Sequence, residues 1–94
     1  MASTFDLSIL TPERTVFEGV VEYVQVPGSE GYLGVLAGHA ALVTELASGT
    51  LTVREPGGDD RQWQVSGGFF EVADDHATVL ADEVSGDEAE EAQG

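Results

Sequence analysis

The sequence predicts an all-β protein, an antiparallel two-sheet sandwich of about ten short strands followed by a short disordered or frayed helical C-terminal tail. Three observations predict it. Apolar residues alternate with polar ones instead of recurring every three or four positions. Turn-forming residues punctuate the chain about every 8 to 12 residues. Between these turns no helical stripe is long enough to carry the chain from one parallel strand to the next. At 94 residues there is room for one small domain. A chain of this size buries roughly 60 to 65% of its unfolded surface, so its core is modest and a docked partner would add to its stability.

Each element follows from local residue choice. Phe5, Leu7 and Ile9 share one face of a first strand, and Thr11-Pro12 breaks it. Val16 with Phe17 marks a short second strand, and Val20 to Val26 is a β-branched third. After Pro27-Gly28-Ser29 come Tyr32 to Leu36 and, past Gly38, Ala41 to Leu46. Leu51 with Val53 and Trp63 with Val65 flank a long hairpin loop from Glu55 to Asp60. Gly67-Gly68 lets the chain bend before Phe69 to Val72, and Asp74-Asp75 turns it into Ala77 to Ala81. Ser85 followed by Glu88 resembles a capping box, but no apolar stripe continues it. Residues 1–83 are therefore expected to form the sandwich and residues 84–94 an acidic tail.

Charge narrows the function. Eighteen acidic residues face three arginines and no lysine, a net charge of -15. Such a field repels phosphate backbones and anionic headgroups, so nucleic acid and membrane-surface binding are not expected. No apolar run approaches the roughly 18 residues of a membrane span, and Met1 to Leu10 lacks the basic start of a signal peptide. The expectation is a soluble chain that does not insert into a membrane. The absence of cysteine removes disulfides and thiolate metal sites and fits a reducing compartment. Carboxylates without lysine also point to a salt-rich cytoplasm, where screening relieves self-repulsion.

The search for chemistry finds little. The glycines of Gly28-Ser29-Glu30-Gly31-Tyr32-Leu33-Gly34 match neither dinucleotide nor P-loop spacing, and Glu30 would repel phosphate, so no nucleotide and no other cofactor is expected. A tight turn explains the glycines, while Tyr32 and Leu33 at its tip also suit a partner-binding loop. His39 and His76 form no helical pair and have no third ligand at diagnostic spacing, so no metal site is expected. Ser66-Gly67-Gly68 is no nucleophile elbow. Trp63, Phe69 and Phe70 read as core, since no basic groove accompanies them. No catalytic residue emerges, and the chain reads as a non-enzyme.

The segment from Gly28 through Gly34 into Val35-Leu36-Ala37-Gly38-His39-Ala40-Ala41-Leu42-Val43-Thr44 resembles the signature of the epsilon subunit of F-type ATP synthases, the counterpart of the mitochondrial delta subunit. Val65 to Val72 and Ala77 to Asp82 resemble that family's later blocks, in order and at the right distances. The resemblance covers Phe5 to about Asp82. Family members usually carry proline at the positions of Ala37 and Ala41, and many have an acidic residue where Tyr32 stands.

The resemblance implies a ten-stranded sandwich in the central rotor stalk, coupling gamma-subunit rotation to the c-ring for proton-driven ATP synthesis. Localisation would be the cytoplasmic side of a bacterial cell membrane, as a peripheral part of the synthase. It implies a gamma-subunit interface at Thr11, His39, Leu42 and Thr44, and a c-ring interface at Glu30, Gly31, Tyr32 and Leu33. Relatives often continue into an inhibitory helical hairpin that in some members binds ATP. This sequence stops about where that hairpin would begin, so the expectation is coupling without that brake and without nucleotide. The alternatives are a free-standing β-sandwich module binding carbohydrate or peptide, and a metal-dependent hydrolase using His39 and His76.

Overall fold

The computed structural model describes residues 3–86. Eight strands and no helix are present among them: β1 (Phe5–Leu10), β2 (Thr15–Val21), β3 (Tyr23–Gly28), β4 (Gly31–Leu36), β5 (Leu42–Glu45), β6 (Gly49–Arg54), β7 (Asp60–Ala73) and β8 (His76–Gly86). Hydrogen bonding runs without interruption in the order β2-β1-β8-β7-β6-β3-β4, with β5 also paired to β7. The count is lower than about ten because Trp63–Val65 and Phe69–Val72 belong to one 14-residue strand.

That strand and its 11-residue partner β8 are shared by both layers. The first half of β7 pairs with β6 through residues 60–65, and the second half pairs with β5 through residues 69–72 on the same edge. Between the halves, Gly67 (φ +71°) and Gly68 (φ +113°) adopt backbone angles that other residues rarely reach. A Cβ on Gly68 would stand 2.8 Å from the Cα of Ala81 and overlap the Leu80 carbonyl oxygen. The glycine pair therefore lets the β7–β8 hairpin bend without losing its partner. One layer is β2-β1-β8-β7-β5 and the other β8-β7-β6-β3-β4, and the chain crosses between them again at Glu22, whose amide donates to Arg54 O at 2.8 Å.

One pair departs from the antiparallel rule. β1 lies parallel to β8, from Asp6 beside His76 to Leu10 beside Leu80. No crossover helix is needed, because the whole intervening chain serves as the connection. Two boundaries also move. Val20 and Val21 end β2 instead of opening β3, since the chain breaks at Glu22. β8 continues through Val84, Ser85 and Gly86, which pair with Val65, Gln64 and Trp63, so strand extends past the expected limit at residue 83. The rest of the expected tail, 87–94, lies outside the described residues.

Alternation puts Leu7, Ile9, Val24, Val26, Leu51 and Val53 between the layers with no exposed surface. Burying a side chain of that size stabilises by roughly 1.5–3 kcal/mol. Trp63 and Phe70 fill the centre, and the rings of Phe17 on one layer and Trp63 on the other meet at 5.7 Å. The guanidinium of Arg61 closes this end, 5.2 Å from the Phe17 ring, 5.0 Å from the Trp63 ring and 3.5 Å from Glu55. Phe69 does not join the core, contrary to expectation, because its neighbour Phe70 takes the inward position.

Candidate interaction surface

The outer face of the first layer carries an apolar row. Phe69, Leu80 and Leu10 stand opposite one another across β7, β8 and β1, and Glu45 on β5 ends the row beside Phe69. Phe69 is 49% exposed and Leu80 44%. They line a groove closed at one end by Thr11 and Pro12 of the β1–β2 turn. Thr11 shapes that turn, its hydroxyl accepting from the amides of Glu13 and Arg14, both at 3.3 Å. One step along β5, Val43 is 71% exposed, the most open large apolar side chain among the described residues.

This row is what sequence reasoning missed. Leu42 packs against the core, and Thr44 is half-buried with its hydroxyl turned to Glu45 O at 3.2 Å. The inward positions are Leu42 and Thr44 on β5 and Leu46 just past it, so Val43 and Glu45 face solvent. The signal for Val43 alone was present, since strict alternation from Leu42 to Leu46 leaves Val43 outside once the leucines point inward.

The hairpin tip adjoins β5. Ser29 and Glu30 form a two-residue turn between β3 and β4, and the Ser29 amide donates to Glu45 O at 2.9 Å. Glu30, Gly31, Tyr32 and Leu33 share a hollow with Val43 and Thr44, so residues expected on two separate interfaces are neighbours on one surface. Glu30 and Gly31 are exposed, whereas Leu33 packs partly against the core. Tyr32 is 57% exposed, yet its hydroxyl is fixed by the Thr50 amide at 3.0 Å. Gly49 permits this arrangement, because a Cβ there would stand 2.6 Å from the Tyr32 hydroxyl and 2.7 Å from Pro27 Cβ. Tyr32 is thus a held side chain.

His39 sits in the segment between β4 and β5, half-buried, with Nδ1 2.7 Å from Ala40 O. It stands apart from Thr11, at the end of the first layer where β7 turns into β8. His76 opens β8 opposite Asp6 and Ala73, next to Asp75, whose carboxylate accepts from the Gly38 amide beside His39 at 2.7 Å. Among the described residues, no three His, Asp or Glu side chains gather as a metal ion requires.

Carboxylates surround the apolar row. Glu71 pairs with Val43, Glu18 with Ser8, and Asp82 lines the groove beside Leu80. The face is therefore apolar in its centre and acidic at its margin, suited to a basic-rimmed counterpart. On the opposite layer two arginines meet carboxylates, Arg54 with Asp60 and Arg61 with Glu55. Arg54 Nε donates to Asp60 at 3.0 Å, a hydrogen bond that holds the Asp60 carboxyl below the usual aspartate range and raises Arg54. Further along the same ladder, past Thr52 and Gln62, Gln64 donates to the Thr50 hydroxyl at 2.9 Å.

The fold is a two-layer β-sandwich with Val43, Phe69 and Leu80 exposed on the outer face of one layer. Residues 4–86 match the β-sandwich domain of the ATP synthase delta/epsilon chain, and the chain belongs to that family. It is similar to the ATP synthase epsilon chain of Solibacter usitatus (strain Ellin6076), 51% identical over 82 residues, covering 87% of this chain and 60% of that one. The epsilon chain of Desulforamulus reducens is 49% identical over 82 residues, covering 87% and 61%. The chain thus spans about 60% of the length of these curated relatives.

Among solved structures, a chain in the Euglena gracilis mitochondrial ATP synthase, in an OSCP/F1/c-ring assembly, superposes with a TM-score of 0.83 at 30% identity. The alignment covers 89% of this chain and 54% of that one. A chain of the Tetrahymena thermophila mitochondrial ATP synthase central stalk and c-ring gives 0.71 at 16% identity, covering 88% and 66%, and bears on the fold alone.

Proposed function

We propose that this chain is a non-catalytic rotor subunit in the central stalk of an F-type ATP synthase, linking the gamma subunit to the c-ring during proton-driven ATP synthesis. The observation that carries the reading is the apolar row on the outer face of a rigid sandwich, in a chain whose relatives are ATP synthase epsilon chains. A rotor part transmits torque only if it deforms little, and a close-packed two-layer interior supplies that stiffness. The broad face measures 32 by 31 Å, large enough for the roughly 800 Å² that one side of a stable interface buries.

In this reading the gamma subunit covers Thr11, Phe69, Leu80 and Val43, with Leu42 and Thr44 supporting β5 from beneath and His39 at the margin. The c-ring loops meet the tip formed by Glu30, Gly31, Tyr32 and Leu33. The subunit would lie on the cytoplasmic side of a bacterial membrane, attached through its partners. It needs no cofactor, metal or nucleotide for this task.

The test is Val43→Asp, a change at an exposed site expected to leave unfolding within about 0.5 kcal/mol of wild type. Affinity for the cognate gamma subunit, measured by titration calorimetry, should fall at least about tenfold, as for loss of an apolar anchor. Proton-coupled ATP synthesis in reconstituted vesicles should fall with it. Unchanged affinity and coupling in Val43→Asp and in Leu80→Asp together would remove this face from the interface.

A further inference from the structure

At the end of the first layer, the side chain of Asp75 makes a contact from a turn of positive φ. Asp74 and Asp75 form the two-residue β7–β8 turn with φ of +53° and +58°, the only non-glycine residues with positive φ among those described. Glycine or asparagine is the comfortable choice in such a turn. Asp75 instead supplies a carboxylate. Its Oδ1 accepts from the Gly38 amide at 2.7 Å, and its carbonyl oxygen accepts from the Asp6 amide at 3.1 Å. One residue thus ties the β7–β8 turn to the start of β1 and to the segment leading into β5.

That segment needs an external hold. Within residues 37–41 the backbone makes one described turn bond, from the His39 amide to Leu36 O at 3.2 Å. Gly38 itself has φ +82° and nothing within 4 Å of where a Cβ would stand, so no packing restrains it. β5 is short and pairs with β7 over only four residues, 42–45. Its far end is secured by the Leu46 amide on Gly68 O at 2.9 Å and by the bridge from Leu46 to Gly28. Its near end is secured by Asp75.

We propose that Asp75 is a positioning residue for partner docking: its carboxylate holds the Gly38 amide, so that Val43 on β5 and His39 in the segment leading into it are presented in a fixed place. The inference rests on the reading of this face as the gamma-subunit interface. Asp75 itself touches no partner. It acts by sparing the docked state the ordering of a loose segment, which would otherwise weaken binding.

Two variants of the full chain test it. Asp75→Gly suits the turn but removes the acceptor; Asp75→Asn keeps both a tolerated backbone and an acceptor oxygen. In Asp75→Gly, hydrogen exchange at the Gly38 and His39 amides should speed up while the unfolding midpoint stays at or above wild type. Its affinity for the cognate gamma subunit should fall about fivefold, the worth of one hydrogen bond. Asp75→Asn should restore both protection and affinity.

Faster exchange with wild-type affinity in Asp75→Gly would overturn the positioning role and leave the gamma interface standing. If Asp75→Asn binds as weakly as Asp75→Gly, charge and not the hydrogen bond is responsible, and the proposal fails in that form. If the wild-type chain shows no affinity for gamma, the interface reading falls and takes the positioning role with it.

Discussion

Replacing Gly68 with alanine separates backbone strain from steric overlap at the bend shared by both layers. The residue sits at φ +113°, a region that costs an ordinary residue about 1–3 kcal/mol. Overlap adds to this. The new methyl would approach Ala81 Cα to 2.8 Å and collide with the Leu80 carbonyl, both backbone atoms of β8 that move only if the β7–β8 ladder opens. Each ladder hydrogen bond lost costs about 1 kcal/mol, so the total is about 3–5 kcal/mol out of the roughly 5–15 that stabilise a domain.

Gly31→Ala is the control, since Gly31 also has positive φ, +132°, with open space around its would-be Cβ. Trp63, the single tryptophan and almost fully buried, gives a fluorescence signal for urea unfolding. Gly68→Ala should be about 2 kcal/mol less stable than Gly31→Ala, a difference of roughly 8–16 °C in melting temperature for a domain of this size. Equal stability of the two variants would refute the idea that the bend is closed so tightly against β8.

The Arg54–Asp60 pair predicts a pH effect. Asp60 is held below its ordinary range by the hydrogen bond from Arg54, so the pair's contribution is present above the unfolded aspartate value and fades as pH falls through the lowered folded one. In Arg54→Gln the Asp60 carboxyl, followed by carbon NMR, should titrate at higher pH than in wild type; coincident titrations would contradict the assignment. Net charge predicts a salt effect. With -15 on 94 residues, raising KCl from 0.05 to 2 M shortens the screening length to a few ångströms and should raise the urea midpoint markedly. A flat response would show that self-repulsion does not limit the fold.

The fold class was legible because alternation and turn residues report directly on which face of a strand is buried. Leu7, Val24 and Leu51 were placed by that pattern alone. The strand count was not, because Gly67-Gly68 reads as a break in the sequence but acts as a bend within one ladder, with its pairing to β8 resuming at the same register. The parallel contact of β1 with β8 joins distant residues and leaves no local trace. In the candidate surface, the hairpin tip could be read from its turn residues. The apolar row could not, since Phe69 and Leu80 become neighbours only when β7 and β8 pair. Tyr32's hold on the Thr50 amide depends on the absence of a side chain at Gly49, a cue visible only once β3 and β6 are side by side.

The position of β1 bears on how the polypeptide is made. Its edge is completed by β8, so a nascent chain on the ribosome carries an unfinished ladder until the last described strand emerges. During that interval the bare hydrogen-bonding groups of Phe5 to Leu10 are open to wrong partners, including the same segment of another nascent copy. Strong acidity along the rest of the polypeptide keeps such copies apart by repulsion. The charge that strains the finished sandwich would then protect its synthesis.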